Sequence, residues 1–233
     1  MPTALVIGAS SGIGEAVAHR LIAAGWSVVG LARRAVALDS ERYHHVVTDV
    51  RSPDYRDALR GVLDRVDGFR ALDLCLYATG IGHLLDLADL AREVDVFATN
   101  LAGLAITAEI VVPRMIARRA GHFIGLSSQA DRLITGDSPS YSASKAGMSS
   151  YLEGLALACR RHGVAVTNLR FGFVDTAMSR AQPVRPFLIT AERAAAVVER
   201  CLTRRPIRMT FPRRMAVLVW MLGLRARLRI WLS

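Results

Sequence analysis

Val6-Ile7-Gly8-Ala9-Ser10-Ser11-Gly12-Ile13-Gly14 continues an apolar run that begins at Ala4. A short apolar run that stops at a glycine reads as a buried strand. From Gly12 onward Val17, Ala18, Leu21 and Ile22 fall at helical spacing, and Gly25 ends the pattern. A strand, a glycine-rich turn and a helix N-terminus make an anion site: backbone N–H groups point at a phosphate, and the helix dipole favours it. Gly8 permits the turn, Gly12 the close approach of a pyrophosphate, and Gly14 tight packing of the helix. The spacing is GxxxGxG, not GxGxxG. Gly8, Ser10, Ser11, Gly12, Ile13 and Gly14 are therefore the candidate phosphate cradle. Glycine triplets also occur in ordinary turns, so the rest of the chain has to carry the reading.

Working outward, apolar runs at Ser27 to Leu31, Val46 to Val47, Leu72 to Tyr77, His122 to Leu126, Val164 to Leu169 and Ile207 to Thr210 read as strands. Asp54 to Val66, Ala91 to Ala117, Pro139 to His162 and Ala191 to Leu202 read as helices. Strands alternating with helices predict a doubly wound parallel α/β sheet, Rossmann-like and covered on both faces. The expected organisation is one domain, residues 1–210, followed by a C-terminal basic amphipathic extension, residues 211–233, read as helical. The end of the second strand should meet an adenosine ribose. A carboxylate there would suit the 2′-hydroxyl of NAD(H). The chain has Arg33 and Arg34 instead, which suit a 2′-phosphate and so favour NADP(H), unless they are simply solvated loop arginines. Asp49 and Val50 follow the third strand and border the adenine in this arrangement.

Of 233 residues, 52% are hydrophobic, enough for a core and against disorder. The formal charge is +10, but nine arginines and no acid lie from Arg200 to the end, which leaves the body near neutral. A body-wide basic face for nucleic acid is not supported. Cys75, Cys159 and Cys201 form no CxxC pair, so neither a metal site nor a disulfide framework is indicated, and a reducing, cytoplasmic compartment is expected. The N-terminal apolar segment has no basic region before it, unlike a secretory signal. No uninterrupted apolar run reaches the ~18 residues of a membrane span. The longest is Met215 to Leu224.

Twenty-nine of the 30 basic residues are arginine, and Lys145 is the only lysine. Either biased composition left it by chance, or position 145 needs an ammonium that guanidinium does not imitate. Tyr141-Ser142-Ala143-Ser144-Lys145 falls near the start of a predicted helix, where residues four apart share a face. A phenol titrates near ~10 and a neighbouring cation lowers that value. Tyr141 would then exchange a proton with a substrate oxygen while a nicotinamide exchanges hydride with the same carbon.

The whole order of motifs resembles the short-chain dehydrogenase/reductase family over about residues 3–210. The resemblance identifies Gly8, Gly12 and Gly14 with the family's glycine motif, and Tyr141 and Lys145 with its YxxxK. It selects Ser128 over Ser127, thirteen residues before the tyrosine, and Asn100 as the asparagine. It implies an enzyme acting on CH–OH or C=O groups: Ser128 holds the substrate oxygen, Tyr141 is the acid in reduction and base in oxidation, Lys145 binds the nicotinamide ribose, and Asn100 anchors a water. It also places Ala78, Thr79, Gly80, Gly172, Val174 and Thr176 along the cofactor, and implies a homodimer or homotetramer. Three positions depart from the pattern. Ile7 replaces a threonine, Tyr77-Ala78-Thr79-Gly80 replaces Asn-Asn-Ala-Gly, and Phe171 replaces a proline before Gly172. A non-catalytic nucleotide-binding regulator, or an epimerase or dehydratase of the same fold, remain the alternative functions.

A small-molecule carbonyl or alcohol is the expected partner, and its identity is not legible. Ser128, Gln129, Tyr141 and Met178 are the candidate substrate residues. His83, Phe187 and Leu188 either approach the pocket or simply pack. The lid segment, Ala177 to Thr190, is short, which predicts an open pocket or one completed by another part of the chain. In the tail, Arg225, Arg227 and Arg229 alternate with apolar residues, and Trp220 and Trp231 suit an interface. Two readings fit: a helix packed on the body or on a neighbouring subunit, which is preferred, or a peripheral contact with an anionic membrane.

Overall fold

The computed structural model describes residues 1–36, 38–67, 71–180 and 182–232. Ala181 of the lid and Ser233 of the tail lie outside the described residues. Seven strands form one parallel sheet: β1 (Thr3–Ile7), β2 (Ser27–Ala32), β3 (Tyr43–Val47), β4 (Leu72–Tyr77), β5 (His122–Ser128), β6 (Ala165–Phe171) and β7 (Arg208–Phe211). The helices are α1 (Gly12–Ala23), α2 (Tyr55–Asp67), α3 (Ala91–Phe97), α4 (Gly103–Ala117), α5 (Pro139–Cys159), α6 (Ala177–Arg180), α7 (Ala191–Arg204) and α8 (Arg213–Trp231). The strand order is β3-β2-β1-β4-β5-β6-β7. The chain winds outward from β1 to β3, returns to the middle, and winds the other way from β4. This is the doubly wound architecture that the alternation predicts, with its switch point between β1 and β4.

Every residue of β1 is buried, as a central parallel strand requires. Its side chains alternate between two cores. Leu5 and Ile7 pack with Cys75 and Tyr77 under α2, α4 and α5, while Ala4 and Val6 pack with Leu74 and Leu76 under α1 and α7. The register pairs Ile7 with Leu31 and Tyr77, and Ser128 with Phe171. The carboxyl ends of β1, β2, β4, β5 and β6 thus open on one edge of the sheet, where such folds bind ligands.

The long helix expected from Ala91 to Ala117 is interrupted. A π-turn, Ala98–Ala102, separates α3 from α4. The extra residue frees a backbone carbonyl, and the buried Tyr77 phenol donates to Thr99 O at 2.5 Å. Tyr77 stands where the resembled family has asparagine, so a phenol ties β4 to the helix here. By length and composition this helix suits a membrane span, but Leu104, Ala108, Val111 and Met115 bury its apolar face in the core.

β7 takes in Phe211, the first residue of the expected extension, and α8 follows directly. Met215, Val219 and Gly223, four apart, are the buried stripe of α8. At Gly223 the helix lies so close to the Gln129–Arg132 turn that an added Cβ would sit 2.6 Å from Arg132 O. Under that turn Asp131 accepts from Arg170 Nε at 2.6 Å and from Ser149 Oγ at 2.7 Å. Both members of the Asp131–Arg170 pair are 6% exposed.

Candidate active site

One cleft of about 690 Å³ runs along the carboxyl edge of the sheet. Gly8, Ser10, Ser11, Gly12 and Ile13 line it at the switch point, and Arg33, Arg34, Asp49 and Val50 line it beyond β2 and β3. Ala78, Thr79, Gly80, Gly172, Val174 and Thr176 continue the wall, and Ser128, Gln129, Tyr141, Lys145 and Met178 complete the other half. Two predicted residues stand behind the wall. Gly14 serves packing, because a Cβ there would collide with Gly8 O. Asn100 is fully buried.

The glycine turn fits a dinucleotide phosphate. Gly8 and Gly12 have φ of +93° and +59°, which favour glycine. Ser11 makes no side-chain capping bond to α1, so the first-turn amides stand available for an anion. Thr176 closes over the turn: a Cβ on Gly12 would lie 2.9 Å from its methyl group. Arg33 and Arg34 are exposed at the end of β2. Burial pushes the Asp49 carboxyl up, but hydrogen bonds from Arg51 outweigh it and hold the group below the usual carboxylate range. Its side chain accepts from Arg51 at 2.9 and 3.0 Å.

At the other half, α5 starts at Pro139 and carries Tyr141 and Lys145 one turn apart on its inward face. The Tyr141 ring packs on backbone: a Cβ at Gly82 would sit 2.6 Å from its edge. Burial raises the Tyr141 phenol above its ordinary range, opposed by a hydrogen bond with Ser128. Desolvation, and not the neighbouring ammonium, therefore sets the direction. Lys145 Nζ lies 5.7 Å from the ring centroid and donates to Leu126 O at 3.0 Å. Burial pulls the Lys145 ammonium down to about 8. Ser128 leaves β5 in an extended conformation, and its Oγ accepts from Ala130 N at 3.1 Å. It caps the turn that follows and lines the same wall of the cleft as Tyr141.

The π-turn aims Asn100 inward. Its Nδ2 donates to Ile81 O at 2.9 Å and to Ser144 Oγ at 3.0 Å, while its Oδ1 accepts from Ile81 N at 2.9 Å. Gly80 separates it from Lys145: a Cβ there would meet Asn100 Oδ1 at 3.3 Å and Lys145 Nζ at 3.4 Å. Asn100 therefore fixes the 80–82 backbone against which Tyr141 packs.

Gln129 lines the cleft, yet its Nε2 is engaged with Pro212 O at 3.0 Å. Its buried Oε1 has no partner. His83 lines the wall, with its Nε2 3.5 Å from Glu93 Oε1. Met178 lines the mouth, whereas Phe187 and Leu188 are partly exposed outside the wall. The short lid does not close the pocket alone: Met215 and Val219 of α8 complete it. Sequence reading missed these two because it treated the tail as separate from the site. The signal was the four-residue spacing of Met215, Val219 and Gly223.

A family model described as short chain dehydrogenase matches residues 2–185. An uncharacterized oxidoreductase of Myxococcus xanthus is 32% identical over 225 residues, 92% of this chain and 89% of that one. An uncharacterized oxidoreductase of Staphylococcus aureus is 32% identical over 189 residues, covering 76% of this chain and 80% of that one. A short-chain dehydrogenase structure from Streptomyces avermitilis superposes with a TM-score of 0.83 at 25% identity, covering 99% of this chain and 96% of that one.

Proposed function

The chain belongs to the short-chain dehydrogenase family, an oxidoreductase acting on CH–OH or C=O groups with NAD(P), and from that premise we propose that it reduces a ketone or aldehyde with NADPH, or oxidises the matching alcohol, with Tyr141 as the general acid or base. The observation that carries the reading is the convergence of Ser128, Tyr141 and Lys145 on one wall of the cleft, with a glycine cradle in the other half. When bound, the nicotinamide supplies or accepts the hydride.

Ser128 and Tyr141, on the same wall of the cleft, hold the substrate oxygen between them. The phenol, protonated at neutral pH like any tyrosine of ordinary or raised pKa, donates its proton to that oxygen as it becomes an alkoxide. Lys145 places positive charge beside the phenolate that results, and would be the residue that holds the nicotinamide ribose. Asn100 acts as a positioning residue through Ile81. Arg33 and Arg34, exposed at the β2 end of the cleft, would hold a 2′-phosphate, which would favour NADP(H) over NAD(H). Gly8, Ser10, Ser11, Gly12 and Ile13 hold the pyrophosphate. Asp49 and Val50 border the adenine, and Ala78, Thr79, Gly80, Gly172, Val174 and Thr176 flank the rest of the cofactor. Gln129 and Met178 border the substrate.

Half-exposed Phe97, Tyr151 and Leu157 on α3 and α5 support a homodimer or homotetramer. Three buried free thiols suit a cytoplasmic location. The outer face of α8 is the part we assign to peripheral contact with a membrane. Consumption of NADPH and of NADH against a broad panel of ketones and aldehydes tests the activity. No consumption on any member would favour a nucleotide-binding regulator or a same-fold epimerase or dehydratase.

A further inference from the structure

α8 has two apolar faces. Met215 and Val219 point inward and complete the substrate half of the cleft. Val217, Trp220, Met221, Leu224, Leu228 and Trp231 are spaced three, one, three, four and three apart and fall on the opposite side of the helix. All six are exposed, Trp220 by 56% and Trp231 by 81%. Arg214, Arg225 and Arg227 flank this face, Arg213 stands at its N-terminal end and Arg229 lies further round the helix, and no acidic residue occurs from position 200 to the end.

The charges select the occupant. A second α8 packed face to face would set these arginines against each other with no carboxylate to answer them. An anionic bilayer answers all of them, and each arginine near such a surface strengthens binding about five-fold. Two exposed tryptophans on the apolar side suit the headgroup boundary.

The cleft wall indicates what is handled there. In a protein with 29 arginines, none of the described residues lining the substrate half is an arginine. Arg33 and Arg34 lie at the β2 end, three strand spacings or roughly 14 Å from β5. Ile81, Leu84, Leu133, Met178, Met215 and Val219 provide apolar wall around Ser128 and Tyr141. An anionic substrate group would find no arginine there.

We propose that α8 seats the enzyme on an anionic lipid surface and that the substrate is a neutral, lipid-soluble carbonyl compound, or its alcohol, which reaches Tyr141 past α8. The substrate class rests on the reductase reading above; the membrane contact does not. Flotation of the full chain with vesicles of phosphatidylcholine, and with vesicles half of phosphatidylglycerol, tests the contact. The chain is expected to float with the anionic vesicles and to remain below with the neutral ones. Trp220→Ser/Leu224→Ser/Trp231→Ser should reduce flotation more than ten-fold while circular dichroism and NADPH binding stay unchanged. Turnover of long-chain methyl ketones carried in the anionic vesicles should fall ten-fold in that variant, with turnover of a short, water-soluble ketone retained. Equal flotation of the two proteins, or equal turnover of the vesicle-borne ketone, overturns the proposal. So does dimerisation lost in the variant without any flotation of the native chain, which would assign the face to a second copy. Turnover of short ketones without flotation overturns this inference alone. Flotation with no turnover of any ketone overturns the reductase reading, and the substrate class with it.

Discussion

Lys145→Met replaces a buried ammonium with an apolar chain of similar length. Burial draws the ammonium from 10.5 to about 8. That difference of roughly 2.5 pH units corresponds to about 3 kcal/mol. Below pH 8 both folded and unfolded chains carry the charge, and the folded state bears the whole desolvation cost. Between about 8 and 10.5 the unfolded chain holds the proton and the folded chain does not, so native stability rises with pH relative to the variant. Above 10.5 neither is charged and the cost is gone. Against it stands the bond from Nζ to Leu126 O, worth about 1 to 2 kcal/mol. The variant should therefore be about 1 to 2 kcal/mol more stable than the native chain at pH 7, and lose that advantage by pH 10. Urea unfolding of both proteins from pH 7 to pH 10 measures the difference, in which other titrations cancel. Turnover should be abolished. Lys145→Arg, which keeps the charge and adds bulk at a 5% exposed position, should be both less stable and severely impaired. A stability gap that does not change with pH would falsify the reasoning, because it would mean the ammonium is not desolvated.

Three further outcomes are expected. Arg33→Asp should weaken NADPH about 10- to 100-fold through loss of a charge-assisted bond and leave NADH within a few-fold; equal effects in a titration of both would refute the cofactor assignment. Tyr141→Phe should lower kcat about 10²- to 10⁴-fold with NADPH affinity unchanged by fluorescence; retention of most turnover would remove the proton-transfer role. Asp131→Ala should cost about 3 to 5 kcal/mol in urea unfolding, because it strands the 6% exposed Arg170 charge; a loss below 1 kcal/mol would mean that Arg170 finds water or another acceptor.

The sheet was legible because its strands are short apolar runs separated by helical patterns, and because both faces are covered. That Gly8, Gly12, Tyr141 and Lys145 meet in one cleft was legible from residue type and spacing, and that Ser128 joins them only from the family resemblance. The π-turn was not, since one added residue in a long apolar helix leaves the periodicity almost intact. Asp131 and Arg170 are 39 residues apart and meet only through the sheet register. Met215 and Val219 escaped for a different reason: their four-residue spacing with Gly223 is legible, but a helix with a second apolar face does not say which of the two turns inward. The direction of the Tyr141 shift was misjudged because spacing reports the neighbouring ammonium but not the burial around both groups.

The phenol that links β4 to the π-turn reaches beyond its own strand. Tyr77 Oη occupies the space where a side chain at position 103 would begin, since a Cβ on Gly103 would overlap it. A glycine inside a helix costs about 1 kcal/mol relative to alanine. The two positions therefore constrain each other. Relatives with tyrosine at the end of β4 should keep glycine at the start of α4. Those with a smaller residue there can carry alanine only where position 50 also gives by a few tenths of an ångström, since a Cβ at 103 would lie 3.1 Å from Val50 Cβ.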